Sequence, residues 1–246
     1  MVRVDDAAQA FLFADLAGYS TLTEAHGDVH AVQLVDEFCG EVRDLLPRHG
    51  AHEVKAIGDA LLIRAPDAGQ AIMLGLEIAD TVGFRHGFLS VRVGMHYGPA
   101  VERGGDWFGH TVNIAARVAA LAGGGEVLVT EDTVAAAGRL VSVSYANRGL
   151  VQLKGIQAPV RVLLAVTDAR DAPESLPIDP VCRMSVEPSR AAGRLIHGGH
   201  IYYFCSLACA GRFTQDPGSF AQQLEPGRGD GGGGSGPPGR PVAEEQ

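Results

Sequence analysis

The stretch VKAIGDALLIR, residues 54–64, places two runs of strand-forming residues on either side of an Ile-Gly-Asp turn. This pattern predicts a β-hairpin in which Gly58 supplies the turn geometry and Asp59 lies at the tip. Lys55 precedes that carboxylate by four positions. One carboxylate alone binds a divalent cation weakly, so we expect other parts of the chain to converge on this tip.

A second carboxylate follows another predicted strand. Residues 9–14 form an apolar run typical of a buried strand, and Asp15 comes directly after it. The next residues have loop composition, and Thr21 and Glu24 have the spacing of a helix-capping box. A helix start beside a carboxylate suits a metal-bound phosphate. If the two strands are neighbours, Asp15 and Asp59 can share a pair of Mg²⁺ or Mn²⁺ ions, although each alone is more often a turn or cap residue.

Composition excludes several classes of protein. The chain has 246 residues, a hydrophobic share of 46% and a formal net charge of -9, which argues against a surface that coats nucleic acid. It contains no apolar run near the roughly 18 residues of a membrane span, and its start lacks the apolar core of a secretory signal. We therefore expect a cytoplasmic protein, in which four cysteines do not form a disulfide framework.

Apolar periodicity predicts the remaining elements. Helices are expected over residues 28–46, 66–82 and 109–121, and strands over 89–96, 126–130, 140–145, 150–153 and 159–166. This interleaving of strands, helices and hairpins predicts an α/β sandwich with a mostly antiparallel sheet. Cys39 is expected to be a core residue, and residues 123–125 a plain helix-to-strand connection because no P-loop lysine follows them.

The predicted helix over residues 109–121 carries two candidate catalytic side chains. Asn113 and Arg117 are four positions apart and share a helix face. An amide and a guanidinium presented together suit the charge that builds on a phosphoryl group during transfer. A polar helix face turned to solvent would have the same pattern, so these two residues alone do not establish a catalytic role.

Four stretches in combination resemble the class III nucleotide cyclase catalytic domain. They are FLFADLAGYSTLTE (11–24), VKAIGDALLIR (54–64), DWFGHTVNIAAR (106–117) and LVQLKGIQAPVRVLLAV (150–166). The resemblance covers about residues 6–167 and implies the ferredoxin-like class III cyclase fold, an α+β sandwich. It implies that Asp15 and Asp59 bind two Mg²⁺ or Mn²⁺ ions, one lowering the pKa of the ribose 3′-hydroxyl for attack on the α-phosphorus and the other gripping the triphosphate.

The same resemblance assigns the other site residues. Asn113 and Arg117 would orient the ribose and stabilise the transition state, Lys55 and Asp106 would recognise the purine, and Lys154 would contact the triphosphate. A lysine can donate to adenine N1 and an aspartate can accept from the 6-amino group, whereas guanine reverses both edges. ATP is therefore the expected substrate, in preference to GTP.

The family works as a head-to-tail dimer, which implies a homodimer with ATP sites at its interface. The metal carboxylates would come from one chain, and the purine and transition-state residues from the other. The predicted enzyme is an adenylate cyclase making 3′,5′-cyclic AMP and diphosphate. The alternative is a non-catalytic module that binds a nucleotide and responds to metal or redox state.

The composition changes after the predicted cyclase domain, residues 1–167. Residues 168–178 read as a polar, proline-bearing linker, residues 179–224 as a second domain, and residues 225–246 as a disordered Gly/Pro-rich tail. Within the second domain, Cys182, Cys205 and Cys209 suit a soft metal such as Zn²⁺ or Cu⁺, and the rival interpretation is a small domain with reduced thiols.

The motifs DPVCRMSV (179–186) and HIYYFCSLACAGRF (200–213) resemble the YHS domain, a small treble-clef-like metal-binding module. A segment of this size has little core and would gain stability from a metal. The fourth ligand stays open among His197, His200, a water molecule and a partner group. Metal or thiol sensing that shifts the cyclase dimer is a hypothesis motivated by the fusion of the two domains.

Overall fold

The computed structural model describes residues 2–83, 85–167 and 176–222. The strands are β1 (Val2–Leu16), β2 (His52–Ile57), β3 (Ala60–Ala65), β4 (Val91–Arg103), β5 (Asp106–Phe108), β6 (Val127–Thr130), β7 (Val143–Val151), β8 (Val160–Thr167), β9 (Gly193–His197) and β10 (His200–Phe204). The α-helices are α1 (Tyr19–His26), α2 (Asp28–Leu45), α3 (Ala68–Glu77), α4 (His110–Ala119), α5 (Glu131–Ala137), α6 (Leu207–Gln215) and α7 (Pro217–Gln222).

One large sheet organises residues 2–167. Its strand order is β2-β3-β1-β4-β6-β8-β7, with β5 paired to the end of β4. The β4–β6 pair is parallel, and the other pairs are antiparallel. The predicted mixed α/β fold with a mainly antiparallel sheet is confirmed. Strands β9 and β10 form a separate hairpin in the C-terminal segment, as residues 176–222 are called below.

Strand β1 lies inside the sheet, and its side chains alternate between two layers. Leu12 belongs to a buried cluster with Phe38 of α2, whereas Phe11 belongs to another with Ala115 of α4. Successive side chains of a strand point to opposite faces, so Asp15 is on the same face as Phe11. The sheet therefore presents the Asp15 carboxylate on the side where α4 packs.

A glycine in β4 sets the position of α4. A Cβ atom at Gly94 would lie 2.0 Å from the backbone nitrogen of Ala119, a separation that no side chain tolerates. The missing side chain lets the helix approach the strand backbone directly. Gly94 thereby determines how closely α4, the helix that carries Asn113 and Arg117, packs on the sheet.

Several predicted boundaries need correction. The expected strands over residues 140–145 and 150–153 are one strand, β7, because the turn-like Asn147–Gly149 region is a bulge opposite β8. Helix α1 begins at Tyr19 after Gly18, so the expected capping box at Thr21 lies inside the helix. Strands β1 and β4 are longer than expected, and the short elements α5 and β5 were not predicted. Cys39 is buried, as predicted.

The C-terminal segment docks on the first part of the chain. Phe204 and Phe213 belong to the same buried cluster as apolar side chains of helices α1, α2 and α3. The backbone of Ser185 exchanges hydrogen bonds with the 87–88 region: Gly87 N donates to Ser185 O over 2.8 Å, and Ser185 N donates to Phe88 O over 2.8 Å. Of the predicted linker, residues 168–175 lie outside the described residues, as do residues 223–246, which include the whole predicted tail.

Among the helices of the described residues, none combines the length and apolarity that a membrane crossing requires.

The buried residue His96 predicts a pH-dependent stability. Its Nδ1 atom lies 2.8 Å from Thr130 Oγ1. Burial lowers the pKa of His96 from its ordinary 6.5; Asp132 opposes this shift and His110 adds to it. Below that pH the folded state holds fewer protons than the unfolded state, so stability is fully present above 6.5 and is lost as the pH falls through it.

We expect the free energy of unfolding to fall more for the wild type than for His96→Leu when the pH is lowered from about 7.5 to about 5.5. Chemical denaturation at each pH measures this difference. His30→Leu, which changes an exposed histidine, is the control and should keep the slope of the wild type. Equal slopes for the wild type and His96→Leu would contradict the prediction.

Candidate functional site

The β1–β3 pairing brings the two predicted metal carboxylates together. Asp15 lies opposite Ala60, the residue after Asp59, so the hairpin tip reaches the end of β1. The two carboxyl groups are close enough to interact electrostatically. Burial and the neighbouring Asp15 carboxyl group together raise the pKa of Asp59 to about 6. A cation between the two carboxylates would offset their mutual repulsion, and hard divalent cations prefer such oxygen ligands.

Arg92 is a site residue that sequence reasoning missed. The β1–β4 register places it opposite Asp15, and its Nε atom donates to Asp15 Oδ2 over 2.8 Å. The Asp15 side chain is 17% exposed, so the pair is only partly solvated. A charged residue within an otherwise buried stretch of β4 was the available signal. Its partner could not be known before the strand register was known.

Lys55 and Asp106 form a second pair. Lys55 Nζ lies 2.6 Å from Asp106 Oδ2, and the two side chains are 40% and 30% exposed. This hydrogen bond lowers the pKa of Asp106, and the N–H of Trp107 holds the other carboxylate oxygen at 2.8 Å. The structure thus joins the two residues that the sequence proposed as purine readers. Both remain open enough to exchange their mutual bond for a ligand.

Asn113 and Arg117 lie on the exposed face of α4, away from the buried residues that pack on the sheet. Among the described residues, neither side chain has a recorded hydrogen bond or ion pair with Asp15 or Asp59. Lys154 is exposed in the turn that follows β7. One chain therefore presents the carboxylate pair and the Asn113/Arg117 face as separate groups.

A second cluster lies between the C-terminal segment and α1. The Sγ atoms of Cys182 and Cys205 are 3.4 Å apart, and those of Cys205 and Cys209 are 3.7 Å apart. His26 Nε2 lies 3.5 Å from Cys205 Sγ and 3.6 Å from Cys209 Sγ. All four ligand atoms fit within 4.8 Å of one another. The three cysteines meet as predicted from sequence, and the histidine beside them belongs to the first part of the chain.

The histidine beside the three cysteines is His26, which the sequence analysis did not consider. His197 and His200, the sequence candidates, are not members of the cluster. His197 instead packs edge-on against Phe213, with ring centroids 6.0 Å apart. His26 was missed because it is 179 positions from Cys205 along the chain and no local pattern connects them.

Asp179 holds the cysteine loops in place. Its carboxylate accepts hydrogen bonds from Val181 N and Cys205 N, both over 2.8 Å, and so ties the Cys182 loop to the end of β10. Ser206 caps α6 by accepting from Cys209 N over 3.1 Å. Hydrogen bonds from the Cys182 and Cys205 thiols lower the pKa of Cys209, because they favour its thiolate. A thiolate among thiols, beside an imidazole, is a suitable donor set for a soft cation.

Two family models match the chain, one after the other. Residues 5–165 match the family model described as the adenylate and guanylate cyclase catalytic domain, and residues 178–224 match the YHS domain. A pH-sensitive adenylate cyclase of Mycobacterium tuberculosis is 33% identical over 153 residues, which are 61% of this chain and 38% of the relative. An adenylate cyclase of Streptomyces griseus is 33% identical over 178 residues, covering 72% of this chain and 44% of the relative. The chain spans about two fifths of the length of these curated relatives.

Solved structures show the same fold. The adenylate/guanylate cyclase/hydrolase of Silicibacter pomeroyi is 30% identical with a TM-score of 0.61, over 68% of this chain and 99% of that one. The adenylyl cyclase CyaB of P. aeruginosa is 19% identical with a TM-score of 0.60, over 70% of this chain and 98% of that one. The fold class predicted from the sequence is confirmed.

Proposed function

The chain belongs to the family of adenylate and guanylate cyclase catalytic domains, and from that premise we propose that it converts ATP to 3′,5′-cyclic AMP and diphosphate. The observation that carries the proposal is the Asp15–Asp59 carboxylate pair at the β1–β3 edge, with the Arg92 guanidinium against it. Such a cluster suits a nucleoside triphosphate bound through divalent cations.

The reaction is an internal phosphoryl transfer. The ribose 3′-oxygen forms a bond to the α-phosphorus, the bond from the α-phosphorus to the bridging oxygen breaks, and diphosphate leaves with the displaced electron pair. Two Mg²⁺ or Mn²⁺ ions held by Asp15 and Asp59 would lower the pKa of the 3′-hydroxyl and neutralise the triphosphate. Through those cations the paired carboxylates would hold the reacting end of the nucleotide at the end of β1, and the 3′-hydroxyl proton would pass to water as the ring closes.

The cationic and amide side chains act on the developing charge. Arg117 stabilises the negative charge on the α-phosphoryl oxygens, and Asn113 orients the ribose by hydrogen bonding. Arg92 and Lys154 contact the non-reacting phosphates. Of these, Arg92 donates to Asp15, and a cation bound by Asp15 would leave the guanidinium available to phosphate.

The Lys55–Asp106 pair supports the choice of ATP. The ammonium would donate to adenine N1 and the carboxylate would accept from the 6-amino group. In the structure Lys55 donates to Asp106 over 2.6 Å, and this bond would be exchanged for bonds to the base. Guanine would place its N1–H donor against the lysine donor and its O6 acceptor against the aspartate acceptor. Sites built on hydrogen bonds discriminate strongly against such mismatches.

A homodimer would complete each site. Asn113 and Arg117 point outward on α4, so they are available to a facing chain, while the carboxylate pair of their own chain lies on the sheet. A head-to-tail arrangement would bring the α4 face of one chain to the carboxylates of the other and would create two equivalent sites.

The test is a product assay. Purified protein incubated with ATP and Mn²⁺ should form 3′,5′-cyclic AMP and diphosphate in equal amounts, separated and quantified by liquid chromatography. A parallel reaction with GTP should form far less cyclic GMP. If neither cyclic nucleotide forms although ATP binds, the protein is a nucleotide-binding module and the proposed activity is wrong.

A further inference from the structure

Cys182, Cys205 and Cys209 are the metal ligands that the YHS resemblance already implies; we propose that His26 of the cyclase fold is the fourth ligand of their ion, Zn²⁺, and that this ion fastens the C-terminal segment to helix α1. Three ligands come from the C-terminal segment, and the fourth is the last residue of α1. The inference goes beyond the proposed function and does not depend on it, because it concerns metal binding and domain attachment and not the cyclisation of ATP.

Four of the six distances among the ligand atoms are close to those of a tetrahedral zinc site, and the other two are at most 4.8 Å. Zn–S bonds of about 2.3 Å and a Zn–N bond of about 2.0 Å place neighbouring sulfurs about 3.8 Å apart and the nitrogen about 3.5 Å from each sulfur. Cys205 and Cys209 sulfurs are 3.7 Å apart, and His26 Nε2 lies 3.5 and 3.6 Å from them. The 3.4 Å between Cys182 and Cys205 is shorter by a few tenths of an ångström. An ion thus fits among the four atoms with small adjustments.

The surroundings of the cluster also favour an ion. Cys182 and Cys209 are fully buried, and Asp179 fixes both cysteine loops through backbone N–H groups. The donor set of three thiolates and one imidazole with tetrahedral spacing is typical of Zn²⁺. The carbonyl end of α1 lies next to His26, and the helix dipole favours a cation there.

The attachment reaches the neighbourhood of the carboxylate pair. Helix α1 starts after Gly18, which follows Asp15 by three positions. Arg183, the neighbour of Cys182, covers Gly18 so closely that a Cβ there would lie 2.8 Å from the Arg183 Cβ. The C-terminal segment therefore touches α1 at both ends, through Arg183 at its start and through the cluster at His26. Zn²⁺ binding should order α1 and the loop between β1 and α1 together.

Zinc binding by matched histidine variants tests the ligand assignment. The wild-type protein, reduced and free of metal, should bind one Zn²⁺ tightly per chain in the presence of excess Mg²⁺, which occupies the carboxylate pair. His26→Ala should lower the Zn²⁺ affinity about 100-fold or more, since even outer-shell changes reduce metal affinity 10- to 100-fold. His197→Ala and His200→Ala, which change histidines of the C-terminal segment outside the cluster, should bind as the wild type does. Competition with a chromophoric chelator measures each affinity.

Co²⁺ provides a second readout that does not depend on affinity alone. The Co²⁺-substituted wild type should show the visible absorption of a tetrahedral site with thiolate ligands. His26→Ala should retain thiolate charge transfer but change its visible bands, because water or buffer replaces the imidazole. Unchanged bands and unchanged Zn²⁺ affinity in His26→Ala would overturn the assignment, as would a loss of affinity in His197→Ala or His200→Ala.

Hydrogen exchange tests the attachment. Zn²⁺ should slow amide exchange in α1 and in residues 179–186 of the wild type, whereas in His26→Ala it should leave α1 unchanged. If His26→Ala unfolds at a lower temperature than the wild type even without metal, the experiment is done instead with His26→Gln, which keeps more of the side-chain volume. Protection of the C-terminal segment alone in the wild type would show that the ion does not fasten it to α1. Because none of these three readouts uses ATP, a negative result here is distinct from an absence of cyclase activity.

Discussion

Asp59→Ala is expected to lower cyclic AMP formation about 1000-fold, because it removes half of the carboxylate pair that would hold both cations. The hairpin itself should survive, since the side chain lies at a turn and is not part of the buried core. Circular dichroism and thermal unfolding should therefore match the wild type. Asn113→Ala is expected to be similarly inactive, because it removes a group aligned with the ribose in the transition state.

Mixing the two inactive variants should restore activity. In a head-to-tail heterodimer, one site contains both substitutions, and the other site contains neither and is intact. Random exchange of chains makes half of the dimers heterodimers, so the mixture should recover about a quarter of the wild-type activity. Mixing Asp59→Ala with Asp15→Ala is the matched control and should stay inactive, because both changes fall in the carboxylate half and neither site is intact. No recovery in a verified heterodimer of Asp59→Ala and Asn113→Ala would refute sites shared between chains.

The double change Lys55→Glu, Asp106→Cys is expected to reduce the preference for ATP over GTP about 100-fold or more. The glutamate would accept from guanine N1–H, and the cysteine would remove the carboxylate that repels guanine O6. Turnover with ATP should fall because both bonds to adenine are lost. The ratio of kcat/KM for the two nucleotides measures the effect.

Lys154→Ala is the control for this specificity change. Its side chain is proposed to contact phosphate, so its loss should weaken both nucleotides to the same degree and leave the ratio of kcat/KM unchanged. If the double variant keeps the full ATP preference of the wild type, the Lys55–Asp106 pair does not read the purine. The proposed substrate would then need another basis.

Local sequence patterns predicted much of the fold. Several elements formed where they were expected: the turn at Gly58–Asp59, the amphipathic helices α2 and α4, and the buried part of strand β1. Turn chemistry and apolar spacing act over a few residues, so they can be read without knowing the rest of the chain. Predictions were wrong where the same local pattern is compatible with two structures. At Asn147, turn-forming residues predicted a break between two strands but form a bulge in β7.

The residues and their order thus determined the family, the mainly antiparallel α/β sandwich, the Asp15 and Asp59 candidates and the three cysteines. The tertiary structure decided which groups meet. Arg92 reaches Asp15 across 77 positions through the β1–β4 register, and His26 joins Cys205 across 179 positions because the C-terminal segment packs on α1. Neither contact has a local signature, because strand register and segment docking depend on the burial of the whole chain. They exist only once that burial has been achieved.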